Sequence, residues 1–192
     1  MGKESDADYP FDLYGDLEDA YDEAELDGDL EMMETLDLVH IWEDRQRGGS
    51  AFLYTLWRAI VLNDPESQDE VGEALVLSKN GIRGRDGCEW MNGPHLAQYW
   101  YGLAADAGCA NSQNCLGRLY CPDCAPKDAF KLGRFARDYW KSAAEQKFPG
   151  GMHNLARCLR CGKCPCCNVD VKLAAALDAE AYRLEEEERK EK

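Results

Sequence analysis

Apolar residues recur along most of this chain at the spacing of helices rather than strands. Leu30, Met33, Leu36, Val39 and Ile41 lie near the interval of a helix face, up to Trp42. Gly48, Gly49 and Ser50 close that segment, and AFLYTLWRAIVL at 51–62 opens a strongly apolar helix. Asp64 then supplies a capping side chain and Pro65 a residue suited to the first helical position, which predicts a further helix through EVGEALVL. Runs of β-branched residues are few, and no hairpin dipeptide sits between alternating apolar stretches. The pattern predicts an all-α chain.

The helices repeat. WRAIVLNDPESQDEVGEAL, AADAGCANSQNCLGRLY and SAAEQKFPGGMHNLARCL can be laid over one another at offsets of 45 and 39 residues. Ala59, Ala104 and Ala143 then share a column, as do Ile60, Ala105 and Ala144. Farther on, Val71-Gly72, Leu116-Gly117 and Leu155-Ala156 coincide, followed by Leu75, Tyr120 and Leu159. Periods of this length mark one supersecondary unit per repeat. Small residues let two helices approach, and the Leu and aromatic columns fill the space between layers. Since such a unit cannot bury its apolar face alone, an α-solenoid of about three to four helix-turn-helix repeats is expected.

The second unit carries W-Y-x-x-A-A-x-x-G followed by A-x-x-Q-x-x-L-G-x-x-Y, in Trp100-Tyr101, Ala104-Ala105, Gly108, Ala110, Gln113, Leu116-Gly117 and Tyr120. The third offers Tyr139-Trp140, Ala143-Ala144-Glu145-Gln146 and Leu155-Ala156, while KNGIRGRD (79–86) and PKD (126–128) echo a connecting loop. In these features residues 51–182 resemble the Sel-1-like repeats, relatives of the tetratricopeptide repeat. Two departures stand out: the first loop carries an insertion, CEWMNGP, and Lys147 replaces the glycine of the pattern. The resemblance implies an α-solenoid whose concave surface binds other proteins, as adaptors in degradation, assembly or signalling complexes do. It does not identify the client.

Charge divides the chain differently. Residues 1–44 hold seventeen Asp and Glu against Lys3 alone, a net −16, and the remainder carries +1. Residues 1–26 combine acids with scattered aromatics and are expected to form a disordered acidic arm. A repeat domain over 27–186 and a charged tail at 187–192 complete the expected organisation. An acidic arm repels nucleic acid and anionic membranes, and the neutral body has no basic footprint, so neither is an expected partner. No signal-peptide core or transmembrane stretch is evident, which makes an intracellular, cytoplasmic protein the expectation.

In that reducing setting the ten cysteines are better read as thiols or metal ligands than as disulfides. Five crowd into CLRCGKCPCC at 158–167. At the 39-residue offset, Cys121-Pro-Asp-Cys124 falls one residue from Cys161-Gly-Lys-Cys164. Two C-x-x-C pairs thus occupy loops of successive repeats, where four thiolates about 2.3 Å from a zinc ion could be gathered. Cys121, Cys124, Cys161 and Cys164 are the candidate ligands of a structural zinc site, with Cys166 and Cys167 able to substitute in the second pair. Free thiols, disulfides in an oxidising compartment and a cluster are the alternatives. Cys158 shares a column with Leu119 and Ala74 and is expected to be a small buried hydrophobe. Cys88, Cys109 and Cys115 lack ligand spacing.

A thiol-based redox or metal-carrier protein is the rival reading, since CPDC followed by a helix resembles a glutaredoxin-like motif. That chemistry needs the first cysteine at a helix N-terminus after a central strand, and no βαβ pattern surrounds it. His40, His95 and His153 lie far apart, and no nucleophile elbow, phosphate loop or paired-carboxylate context appears. A non-catalytic interaction scaffold is expected.

Overall fold

The computed structural model describes residues 13–27, 32, 49–77, 93–121, 129–161 and 168–191, and every regular element among them is an α-helix. The eight are α1 (Leu13–Asp27), α2 (Gly49–Val61), α3 (Pro65–Leu77), α4 (Gly93–Asp106), α5 (Ala110–Leu119), α6 (Ala129–Glu145), α7 (Pro149–Cys161) and α8 (Val171–Glu191). Of the helix expected at 30–42 only residue 32 is described, and the loops at 79–86 and 126–128 fall outside the described residues. The chain divides into two compact bodies, Met1–Tyr99 and Trp100–Lys192.

The all-α expectation holds among the described residues. Three helix pairs, α2–α3, α4–α5 and α6–α7, turn through a left-handed residue: Asn63 (φ 48°), Gly108 (φ 96°) and Lys147 (φ 60°). These positions are related by the same offsets of 45 and 39. At Gly108 the turn closes as its N–H donates to Ala105 O (3.0 Å) and that of Cys109 to Ala104 O (2.9 Å). The third turn repeats this with Lys147 to Ala144 (2.9 Å) and Phe148 to Ala143 (3.1 Å). This pairing satisfies the last carbonyls of a helix and requires positive φ at one residue. Glycine is the easy solution, and Lys147 adopts the same conformation against its intrinsic preference. The second helix of each pair starts alike too. Gln68, Gln113 and Met152 donate their N–H to the carbonyls of Asp64, Cys109 and Phe148 at 2.9, 3.0 and 3.1 Å.

Buried columns follow the same register. Ala59, Ala104 and Ala143 are buried, as are Leu56, Tyr101 and Trp140 in the first helices. In the second helices Val71, Leu116 and Leu155 are buried, and so are Ser67, Ser112 and Gly151. The small column works by contact. A Cβ on Gly151 would lie 2.5 Å from that of Ala143, so glycine is what lets α7 approach α6. A Cβ on Gly117 would lie 2.3 Å from Nε1 of Trp140, whose indole fills that space.

In the first body α1 packs on α2, and α2 on α3. Helix α1 lies largely within the segment expected as an acidic arm over 1–26. Leu17 and Ala24 are buried. With Ala20 they form one narrow helical stripe, and the gain comes from a tertiary partner rather than from the acidic segment itself. The start of α3 matches its capping residues: Asp64 Oδ2 accepts from the Ser67 N–H (3.0 Å) and hydroxyl (2.5 Å) and pairs with Arg58 (2.9 Å). The Ser67 hydroxyl, above all, holds the Asp64 carboxyl below its ordinary pKa. Its N–H and the charge of Arg58 add to this, and partial burial opposes it.

In the second body each helix packs on the next from α5 to α8, and α5 also touches α7. Polar side chains knit the layers. Trp140 Nε1 donates to Asn114 O (3.3 Å), Asn154 Nδ2 to Asn114 Oδ1 (2.8 Å), and Gln146 Nε2 to Gln113 Oε1 (2.9 Å). Gln113 in turn donates to Ala105 O (3.2 Å), which ties α5 back to α4. Helix α8 runs on through most of the expected charged tail, to Glu191.

Candidate functional site

Two features of the second body carry chemistry beyond packing: a group of cysteines at helix ends, and an aromatic face. Helix α5 ends at Leu119, and its capping residue Tyr120 leads directly into Cys121. Helix α7 ends at Cys161, one turn beyond Cys158. Cys121 and Cys158 belong to one buried cluster with Ala136, Trp140 and Leu155, against which Tyr120, Ala144, Leu159 and Leu177 pack. The ends of α5 and α7 therefore meet in a single core. Cys158 is the buried hydrophobe that its column implies. Cys161 is exposed, and its thiol donates to Cys158 O at 3.4 Å.

Of the four candidate ligands, Cys121 and Cys161 lie at these neighbouring helix ends, whereas Cys124 and Cys164 fall outside the described residues, as do Cys88, Cys166 and Cys167. Among the described residues no group of three or more His, Cys, Asp or Glu is arranged to hold a metal ion. Cys109 precedes α5 and Cys115 lies within it, both half-buried and apart from the helix-end core.

The aromatic face adjoins the same helix end. Tyr120 stacks on Tyr139 with centroids 5.9 Å apart and planes 7° from parallel, and Phe135 leans on Tyr120 at 5.8 Å. Phe135 stays 53 % exposed despite these contacts. Burial pushes the Tyr139 hydroxyl above its ordinary pKa, and Tyr120 and Asp106 push in the same direction. A phenol so placed stays protonated. Arg134, Asp138, Lys141 and Glu145 flank this face of α6 in two exposed i,i+4 pairs. Such pairs are worth only a few tenths of a kcal/mol, about 0.3–0.5, and leave the charged groups accessible.

His40 lies outside the described residues, and His95 stands in the first turn of α4. His153 sits between α7 and α8, with Nδ1 2.7 Å from Asp178 Oδ1 and Nε2 3.4 Å from Glu185 Oε1. Asp178 is also paired with Arg160. The partner carboxylates of His153 lie 25 and 32 positions downstream, and no local motif announces them.

No family model matches the chain, and no curated protein or solved structure matches it. Among the described residues no helix is long and apolar enough to cross a membrane.

Proposed function

We propose that this protein is a non-catalytic interaction scaffold built on a short α-solenoid of Sel-1-like repeats. The observation that carries the reading is the recurrence of a left-handed residue at Asn63, Gly108 and Lys147, in the register in which the apolar columns align, with the Gly108 and Lys147 turns closed by the same hydrogen bonds. Equivalent hairpins with small residues at their contacts are units suited to stacking, and stacked hairpins offer extended surfaces rather than enclosed catalytic pockets. The packing of α5 on both helices of the next hairpin supports the same arrangement. Other proteins are the proposed partners, and the exposed Phe135 beside Tyr120 and Tyr139 is the proposed anchor, since aromatic side chains dominate binding energy at protein interfaces.

A structural zinc ion held by Cys121, Cys124, Cys161 and Cys164 is part of the proposal. Its support is the convergence of Cys121 and the Cys158–Cys161 turn at neighbouring helix ends. In that role the metal would tie two successive hairpins together and stiffen the scaffold. The redox rival is disfavoured by placement. Cys121 is buried and follows a helix, whereas reactive thiols of that class open one and are partly exposed.

Affinity capture with the full-length chain, read by quantitative mass spectrometry, tests the reading. The expected result is a discrete set of retained proteins lost on Phe135→Glu, with the helical circular dichroism unchanged. Thiol-dependent reduction of insulin by the purified chain, abolished by Cys121→Ser, would instead establish the rival.

A further inference from the structure

Helix α8 packs along α7 over an extended contact but buries few apolar side chains of its own. Along its 21 residues only Ala174 and Ala181 are buried, and Leu177 reaches the core cluster. By contrast, α6 contributes Ala136, Trp140 and Ala143 to the interior, and α7 contributes Met152, Leu155, Ala156 and Cys158. What α8 lacks in apolar area it replaces with charge. Asp178 accepts from His153 (2.7 Å) and is paired with Arg160, and Glu185 faces the other ring nitrogen of His153 at 3.4 Å. The Tyr182 ring meets the His153 edge at 4.7 Å. These groups keep contact with solvent: Asp178 is 19 % exposed, Glu185 35 % and Arg160 47 %. Dissolved ions therefore reach the cluster and screen it.

A second set of charges works along α8 rather than across to α7. Arg183 pairs with Glu180 and Glu187, both at 2.6 Å, and Arg189 with Glu185 at 3.9 Å. Spacings of three and four residues support a helix on its own, and 21 residues exceed the length at which isolated helices are marginal. The segment can therefore leave its neighbour without first unfolding.

We propose that α8 is an electrostatically held strap, which lifts off α7 as a preformed helix and uncovers the Cys158 core while α5–α7 stay folded. Cys158 is a built-in reporter, because it is buried in the cluster that Leu177 of α8 covers. Local opening of this kind has its own free energy, smaller than that of global unfolding. Salt sets it through the interhelical charges.

The test is pulse alkylation of the full-length protein with N-ethylmaleimide, read residue by residue by mass spectrometry in 0.1 M and 1 M NaCl. Amide exchange of α5 is followed in parallel. Cys158 is expected to react about fivefold faster at high salt, the factor for losing a pair interaction near the upper end of the exposed range. Cys109 should react at one rate throughout, and α5 amides should stay protected. Asp178→Asn should reproduce the acceleration at low salt and blunt the further response to salt. A Cys158 rate independent of salt in the wild-type chain would overturn the proposal. So would an acceleration that appears only together with loss of α5 protection.

Discussion

Gly117→Ala probes the contact on which the layering of α5 and α6 depends. The added methyl would sit 2.3 Å from Trp140 Nε1, 2.4 Å from Cδ1 and 2.8 Å from Cε2, well inside van der Waals contact. Trp140 is almost fully buried and cannot swing into solvent. The indole must shift within its pocket, and an overpacked core costs about 1–3 kcal/mol. That shift also breaks the hydrogen bond to Asn114 O, worth roughly 1 kcal/mol. Opposing both, alanine is the better helix former by about 1 kcal/mol. The net expectation is a loss of about 1–3 kcal/mol. Gly102→Ala in α4 is the matched control, since nothing lies within 4 Å of its Cβ position. It should gain about 0.5–1 kcal/mol from propensity alone. Urea denaturation followed by circular dichroism and tryptophan fluorescence reads both variants. A Gly117→Ala chain as stable as wild type would refute the close-packed assignment of this column, and with it the physical meaning of the repeat alignment.

Other expectations follow from single positions. Lys147→Gly should stabilise the chain by about 0.5–1 kcal/mol in a thermal melt, because it removes a left-handed non-glycine residue. Asp64→Ala should cost about 1 kcal/mol at pH 7 by removing the cap of α3. Since the folded carboxyl titrates below its ordinary value, that difference should be full above about pH 4 and vanish as pH falls through the folded pKa. Leu17→Ala should destabilise the first body by about 2 kcal/mol and reduce amide protection in α1 and α2. If zinc is bound, Cys124→Ser should lower both metal content by elemental analysis and the melting temperature, and Cys88→Ser neither. Purified protein free of zinc, or equal effects of the two substitutions, would reject the site.

The buried small-residue positions were legible because they rest on side-chain size, which a linear alignment preserves. The buried Ala59, Ala104 and Ala143 and the turns at Asn63, Gly108 and Lys147 all follow from two offsets. Lys147 looked like a departure from the pattern, yet the backbone imposes the glycine conformation on it. Helix α1 was not legible. Its acidic composition masks the stripe of Leu17, Ala20 and Ala24, and the face that completes it belongs to α2, over 20 residues away. The grip of α7 on α8 was hidden for a related reason, since ion pairs across a helix–helix contact leave no periodic trace. The cysteine reading was local and partly recoverable. C-x-x-C spacing singled out Cys121, Cys124, Cys161 and Cys164 as candidates, and among the described residues the shared core of Cys121 and Cys158 brings the ends of α5 and α7 together.

The claim that this chain binds other proteins through its repeat surface is tested most directly at Phe135. A photo-crosslinking amino acid placed there in the full-length chain would report whatever lies against the aromatic face of α6. The account predicts covalent adducts with one or a few proteins at position 135, and their disappearance when Tyr120 and Tyr139 are both changed to Ser. Partners that remain bound while position 135 forms no adduct would contradict it.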